Sequence, residues 1–492
     1  MEFNFFLIHE RFEPILNPWE FDFFLIHEEK YMKEVQLVVI GGGAAGMAAA
    51  VSARRNGVQD ILILERNNSL GGVLRQCIHN GFGLHRFKED LTGVEFAAKY
   101  EDMVREMEIP FLLNTFVIEL KPDKTITAVN PRQGLIEIRA QSIILALGCR
   151  ERSRNALLIP GARGAGIMTA GTAQRYLNID GYLPGRRIVI VGSGDIGLIM
   201  ARQFVLEGCQ VAAVVEIMPW SGGLPRNMKQ CIEDFGIPVY YNSVIAQVKG
   251  KERVSSVLVA SVDENRRIIP GTEFEIECDT LLISAGLIPE NELTEQAGIR
   301  LSRATKGAEV SEDLETSIPG IFSCGNVLHV HDLVDFVSEE AEEAGQNAAA
   351  WLAANGRLSG APAQQLPADS SPESPESSVS PESPESRLSQ KSSETSGDDS
   401  GDDIIPAVSG IGVGGIVPQF VRRGTEKREI SFMFRPRNRF RDAVITASSG
   451  SDELIRKKAI ALTPGEMCRV TIPAKKLAKA SEIRFSVEGT VV

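Results

Sequence analysis

The stretch Gly41-Gly42-Gly43-Ala44-Ala45-Gly46 follows an apolar run, Val35–Ile40, and opens a run of helix formers, Ala44–Asn56. Glycine at 41, 43 and 46 lets a chain turn tightly out of a strand. It also lets bare backbone approach a pyrophosphate and packs the new helix closely on the strand. The helix N-terminus then offers free N–H groups and the positive end of its dipole to an anion. Glu65 ends the next apolar run, Ile61–Leu64, 19 residues after Gly46. A carboxylate there reaches ribose hydroxyls, so strand, glycine turn, helix and acid together describe a dinucleotide site.

The same order returns downstream. Gly192-Ser193-Gly194-Asp195-Ile196-Gly197 follows Ile188–Val191 and opens Ile196–Glu207, and Glu216 ends Val211–Val215, again 19 residues after the last glycine. An acid at that place favours a free 2′-hydroxyl, hence NAD(H). No Arg occurs in Ile217-Met218-Pro219-Trp220 to argue for a 2′-phosphate. A degenerate second copy that binds nothing is the competing reading.

Around the two motifs, apolar runs such as Ile143–Leu147 and Leu281–Ser284 alternate with helical patterns. Near-continuous apolar strands are buried on both faces, as in parallel α/β sheets. The whole chain has 492 residues, 43% hydrophobic and 24% charged, which are globular values with room for several cores. Its seven cysteines form no C-x-x-C and no short cluster, which excludes a disulfide framework or a zinc site and points to a reducing compartment. The net charge of −13 argues against a nucleic-acid partner. The apolar run Val35–Ala53 is broken by glycines, so no membrane-spanning segment is expected.

That charge is unevenly placed. Residues 1–31 carry −5 and repeat Phe-x-Phe-Phe-Leu-Ile-His-Glu at 3–10 and 21–28; they read as an unstructured leader, with translation expected to start at Met32. Residues 369–403, built on Ser-Pro-Glu triplets, carry −8 and form the centre of a disordered linker expected over 357–405. The remaining chain sums to zero, with −8 on the body and +8 on the tail from 404, where Arg435, Arg437, Arg439 and Arg441 are closely spaced. The alternating runs Ile430–Phe434, Ala443–Ala447, Met467–Ile472 and Ile483–Val487 read as strands of a small β domain, 406–492. Its basic face is either solvated or docked on an acidic surface of the linker, the body or a partner.

Two complete fingerprints in this order resemble the two-dinucleotide-binding flavoproteins of the pyridine nucleotide-disulfide oxidoreductase-like superfamily. Ala146-Leu147-Gly148 and Ala285-Gly286-Leu287-Ile288-Pro289 look like the crossings that bracket its inserted nicotinamide domain. Thr316–Asn326 resembles its second FAD motif, with Gly325-Asn326 where the family usually has Gly-Asp. The resemblance implies an α/β fold of two Rossmann-like three-layer ββα domains, the second inserted in the first. It places FAD on 32–183 and 280–356 and NAD(H) on 184–279. The FAD contacts it implies are Gly41, Gly43, Ala44, Ala45, Gly46, Glu65, Gly72, Gly148, Gly286, Gly325 and Asn326. Those implied for NAD(H) are Gly192, Gly194, Asp195, Ile196, Gly197 and Glu216. A helix over Val337–Leu352 would point its N-terminus at the flavin, where its dipole favours negative charge.

The chemistry is less legible. After Gly71-Gly72 the chain offers only Cys77, so dithiol chemistry is not expected; a sulfenate-forming thiol and a buried apolar residue are the alternatives. His79 and His85, and His329 and His331, are expected at the flavin edge, binding substrate, relaying a proton or simply packing. A resident metal is not expected, because His-x-His alone supplies two ligands. Gly71–Glu95, Cys324–Asp332 and the C-terminal β segment resemble, more narrowly, the NAD(FAD)-dependent dehydrogenases associated with bacterial anaerobic glycerol-3-phosphate oxidation. Gly166–Gln174 resembles the α subunits of sarcosine and opine oxidases. These resemblances imply an FAD-dependent oxidoreductase that exchanges hydride with NAD(H). Its electrons would pass to a partner dehydrogenase or iron-sulfur subunit, or to a small acceptor. They also imply a cytoplasmic protein that can sit at the inner membrane face. A stand-alone NADH oxidase or peroxidase using Cys77, and a flavin-bearing scaffold active only with its partner, are the alternatives.

Overall fold

A computed structural model describes residues 33–358 and 404–491. The repeated leader, Met32 and the Ser-Pro-Glu segment lie outside them. Lys33–Ile40 is a parallel strand between Ile61–Leu64 and Gly134–Leu145, with Phe111–Leu112 beyond the first and Ile321–Ser323 beside the second. Gly134–Leu145 is long enough to serve two layers. Its first half pairs antiparallel with Thr125–Asn130, which pairs in turn with Phe116–Leu120. Helices cover the other face. Ala44–Arg55 and Val334–Ala354 approach so closely that a Cβ on Gly345 would lie 2.2 Å from Ala49 O. The second helix starts at Val334, a turn earlier than its apolar pattern suggests.

The second sheet repeats the design. Its parallel order is Ile167–Thr169, Thr280–Ile283, Arg187–Val191, Gln210–Val215, Val239–Tyr240, backed by an antiparallel layer of Ser243–Gly250, Val254–Ser261 and Phe274–Glu277. The two units are joined where Cys149–Glu151, immediately after the first expected crossing, pairs antiparallel with Leu287–Pro289, the end of the second. One boundary differs from the sequence reading. Ile167–Thr169 lies in the second sheet, upstream of the joint expected at 183/184, because its three residues find their partners in Leu281–Ile283.

The C-terminal unit is a two-sheet β structure. One sheet runs Phe420–Arg422, Ile404–Ser409, Ile483–Val491, Phe440–Ser449, Asp452–Leu462; the other runs Val413–Val417, Glu429–Pro436, Cys468–Pro473. Ile430, Phe432 and Phe434 alternate into its core, where Phe432 meets Phe485 at 5.0 Å between ring centroids. The linker expected over 357–405 is shorter at both ends. Arg357 stacks on Trp351, and Ile404–Ile405 already pair with Val421–Arg422.

Docking of this unit locates the basic charge. Arg422 pairs with Asp313 and Glu315, Lys427 with Asp313 and Glu343, Arg435 with Asp332, and Arg469 with Glu339. The acidic surface is therefore the body. Half-exposed pairs contribute only about 0.2–1 kcal/mol each, so they set orientation more than strength. Gln419 adds a reciprocal fit, its backbone N–H donating to Val310 O at 3.1 Å and its Oε1 accepting from Val310 N at 2.8 Å.

Candidate active site

The two glycine turns superpose in their hydrogen bonds. Gly41 N donates to Leu64 O at 2.9 Å, and Gly192 N to Val215 O at 2.8 Å. Gly42 N donates to Glu65 Oε2 at 2.7 Å, and Ser193 N to Glu216 Oε2 at 2.8 Å. Asn67 N donates to Glu65 Oε1 at 2.8 Å, and Met218 N to Glu216 Oε1 at 2.9 Å. Each acid thus braces its own turn, which sequence spacing did not show. Gly41 and Gly192 have φ of +109° and +91°, a region costly for any side chain. A Cβ on Gly46 would lie 1.7 Å from Gly41 O, and one on Gly197 would lie 2.9 Å from Ser284 Cβ.

Bare backbone lines the first turn. Gly72 crosses it so closely that its Cβ would lie 3.1 Å from Gly43 Cα, while a Cβ on Gly148 would meet no heavy atom within 4 Å. Gly286 is similarly open, with Arg152 the nearest side chain at 3.8 Å. Gly325 abuts the first helix through Ala45. That side-chain-free cradle, with the uncapped N–H groups of Ala44, Ala45 and Gly46, fits a flavin dinucleotide. Asn326 is pinned rather than free. Its Oδ1 accepts from His331 N at 2.9 Å, and its Nδ2 donates to Cys149 Sγ at 3.6 Å. An aspartate could not donate the second bond. In the second turn, Asp195 also braces: its Oδ1 accepts from Leu224 N at 2.8 Å and Asn227 Nδ2 at 2.6 Å. Ile196, next to it, packs partly buried against the second core.

His329 and His331 stand together, ring centroids 4.1 Å apart, over a residue the sequence reading missed, Glu340. His329 Nε2 donates to Glu340 Oε2 at 2.6 Å, His331 Nε2 lies 3.3 Å from the same oxygen, and Gly325 N donates to Oε1 at 2.7 Å. These donors and the two imidazoles hold the carboxyl of Glu340 ionised, far below its ordinary range. Burial and His331 hold His329 neutral. His331 Nδ1 lies 3.0 Å from His329 O, an acceptor, and so carries a proton. Its Nε2, buried without a hydrogen-bond partner, is left facing the carboxylate. The three ligating atoms lie within 4.8 Å of one another, and the His329–Glu340 separation of 2.6 Å is that of a hydrogen bond.

The other candidates lie apart. His79 packs on Phe82 at 5.0 Å and lines a cleft of about 700 Å³ between the two nucleotide units; the opposite walls include Arg202, Arg226 and Leu333. Burial and the two arginines hold it neutral. His85 stacks on Phe336, and its N–H donates to Asp335, a buried acid that also accepts from Gly83 and Arg86. Cys77 lacks the setting of a reactive thiol: burial pushes it up to about 12, and its Sγ donates to Val73 O.

The model of the pyridine nucleotide-disulphide oxidoreductase family matches residues 35–349, most of the chain. The chain belongs to this family. As a member it is an oxidoreductase, and FAD and NAD(P)H are the groups its two turns fit. It is 26% identical over 320 residues to hydrogen cyanide synthase subunit HcnB of Pseudomonas aeruginosa, which covers 60% of this chain and 66% of that protein. It is 25% identical over 325 residues to an NADH oxidase of Methanocaldococcus jannaschii, 62% and 65% respectively. It spans less than two thirds of either relative's length. Among solved structures, thioredoxin reductase of T. acidophilum aligns with 66% of this chain and 99% of its own, at 24% identity and a TM-score of 0.53. That likeness shows the two-unit fold. Among the described residues, no helix is long and apolar enough to cross a membrane.

Proposed function

We propose that the protein passes hydride between NAD(H) and FAD, and electrons onward to a partner subunit or small acceptor, as the flavoprotein component of a glycerol-3-phosphate-type dehydrogenase system in the cytoplasm. The duplicated turn, braced twice by the same set of hydrogen bonds, supports the reading most directly: two such turns in tandem hold two dinucleotides. FAD, when bound, supplies the two-electron redox chemistry. The protein's part is to orient and to manage charge. The Val334–Ala354 helix N-terminus favours negative charge beside it. His331, backed by Glu340 and held by Asn326, takes or returns the accompanying proton at Nε2. His79 stands in the cleft between the units, suited to meet the second substrate.

A partner subunit is favoured by the company this sequence keeps, since HcnB and the sarcosine oxidase α chain of Corynebacterium are named as subunits. The thiol peroxidase reading is disfavoured by the environment of Cys77. Anaerobic mixing of FAD-loaded protein with NADH should bleach the flavin, and glycerol-3-phosphate should do so only after a partner dehydrogenase from the same cell is added. A flavin that stays oxidised under NADH would reject the proposal.

A further inference from the structure

The C-terminal unit does more than cover an acidic face. Its Arg439 lies over Trp220, 5.5 Å from guanidinium carbon to ring centroid. Trp220 follows Glu216 on the loop that leaves the second strand, where the adenosine ribose of a dinucleotide is read. That loop folds back over the phosphate turn: Gly222 N donates to Ser193 Oγ at 3.0 Å, and Ser221 Oγ to Ser193 O at 3.2 Å. A second C-terminal segment presses on the same loop, since a Cβ on Gly465 would lie 2.8 Å from Gly222 O. Tyr241 lies near enough to Glu216 and Arg439 for both charges to act on its hydroxyl.

Two observations indicate what belongs there. Arg439 Nε is buried with no hydrogen-bond partner, and among the described residues no carboxylate pairs with this guanidinium. Glu216 already accepts from Ser193 N, Ser193 Oγ and Met218 N, so its oxygens are largely committed to the turn. A fork of free donors stacked on an aromatic ring at the ribose end of a nucleotide site is the chemistry that recognises a phosphate monoester.

We propose that Arg439 and Trp220 form a site for the adenosine 2′-phosphate of NADPH, so that the C-terminal unit sets the nucleotide preference of the second turn. The inference rests on the reading of that turn as a nicotinamide nucleotide site. It also changes one sequence expectation. Glu216 and the absence of Arg at 217–220 predict NAD(H); Glu216 is committed to its own turn, and the cation arrives from a different unit, so the nucleotide becomes NADP(H).

The test uses the FAD-loaded full chain, titrated calorimetrically with 2′,5′-ADP and with 5′-ADP. The wild type is expected to favour 2′,5′-ADP by about 10- to 100-fold, as charge-assisted bonds to one phosphate allow. Arg439→Ala should bring the ratio close to unity, and Arg439→Lys, which keeps charge but not the fork, should fall between. Anaerobic stopped-flow should show the NADPH-to-NADH ratio of apparent affinities moving by the same factor. Equal binding of the two probes by the wild type overturns the proposal. So does a variant that weakens both probes together, the result expected if Arg439 merely holds the unit in place. Failure of both nucleotides to bleach the flavin would reject the redox reading, while the ratio of the two ADP affinities would still decide this site.

Discussion

Replacing Glu340 by alanine removes the acceptor of two buried donors at once. Gly325 N loses a bond of 2.7 Å and His329 Nε2 one of 2.6 Å. The side chain is 2% exposed, so water cannot substitute. A buried donor left unsatisfied costs about 1–3 kcal/mol, so two cost about 2–6 kcal/mol. At about 2–4 °C per kcal/mol for units of this size, the melting midpoint of Glu340→Ala should fall by roughly 4–24 °C. The adjacent Glu339 is the control: it is 41% exposed and pairs with Arg469, itself 47% exposed. Glu339→Gln should therefore move the midpoint by less than about 2 °C, as surface pairs do. Circular dichroism melts of the FAD-loaded protein, read alongside flavin fluorescence released on heating, measure both. A Glu340→Ala midpoint within 2 °C of Glu339→Gln would refute the claim that this carboxylate anchors the histidine pair.

Acid should act on the same cluster in a fixed order. His329 is held below its ordinary 6.5, so its neutral, folded form loses stability as pH falls through that value. Glu340 is held below its ordinary 4.5, and its contribution disappears only at still lower pH. His329→Gln should flatten the upper limb of a melting-point-against-pH curve and leave the lower limb in place. Gly46→Ala forces a Cβ against Gly41 O and should purify without FAD, seen as loss of the flavin absorbance. Gly197→Ala should retain FAD and lose reduction by nicotinamide nucleotide, which separates the two sites. Cys77, raised to about 12, should stay unlabelled by iodoacetamide at neutral pH, when mapped by mass spectrometry, and Cys77→Ser should reduce its flavin at the wild-type rate.

The nucleotide turns were legible because their chemistry is local. Gly46 is glycine because Gly41 O lies in the same turn, Gly197 repeats the pattern although its nearest neighbour, Ser284, comes from a distant strand end, and the acids at 65 and 216 follow at the spacing one helix and one strand impose. The histidine cluster was legible by half. His329 and His331 are neighbours in sequence, but Glu340 arrives from the next helix. Its signal was an acid on the apolar face: Val337, Ala341 and Ala344, on the same side of the helix, are all buried. Asp195 reads as a cofactor contact in the motif; that its side chain also braces Leu224 and Asn227 was not legible, because they lie beyond the range of any short pattern. Arg439 was visible only as one of four arginines. No spacing rule connects it to Trp220, since the pairing exists only once separate units have docked.

Arg435 gives the docking a mechanical meaning. Its guanidinium binds Asp332 and Val330 O on the flavin side and, within its own unit, the carbonyls of Pro464 and Gly465, the segment pressed against Gly222 on the nicotinamide side. A chain that crosses between two such units only at Cys149–Glu151 and Leu287–Pro289 would otherwise be a swivel. The C-terminal unit works as a keystone across that joint, one guanidinium tying the segment that presses on Gly222 to the loop that carries Asp332.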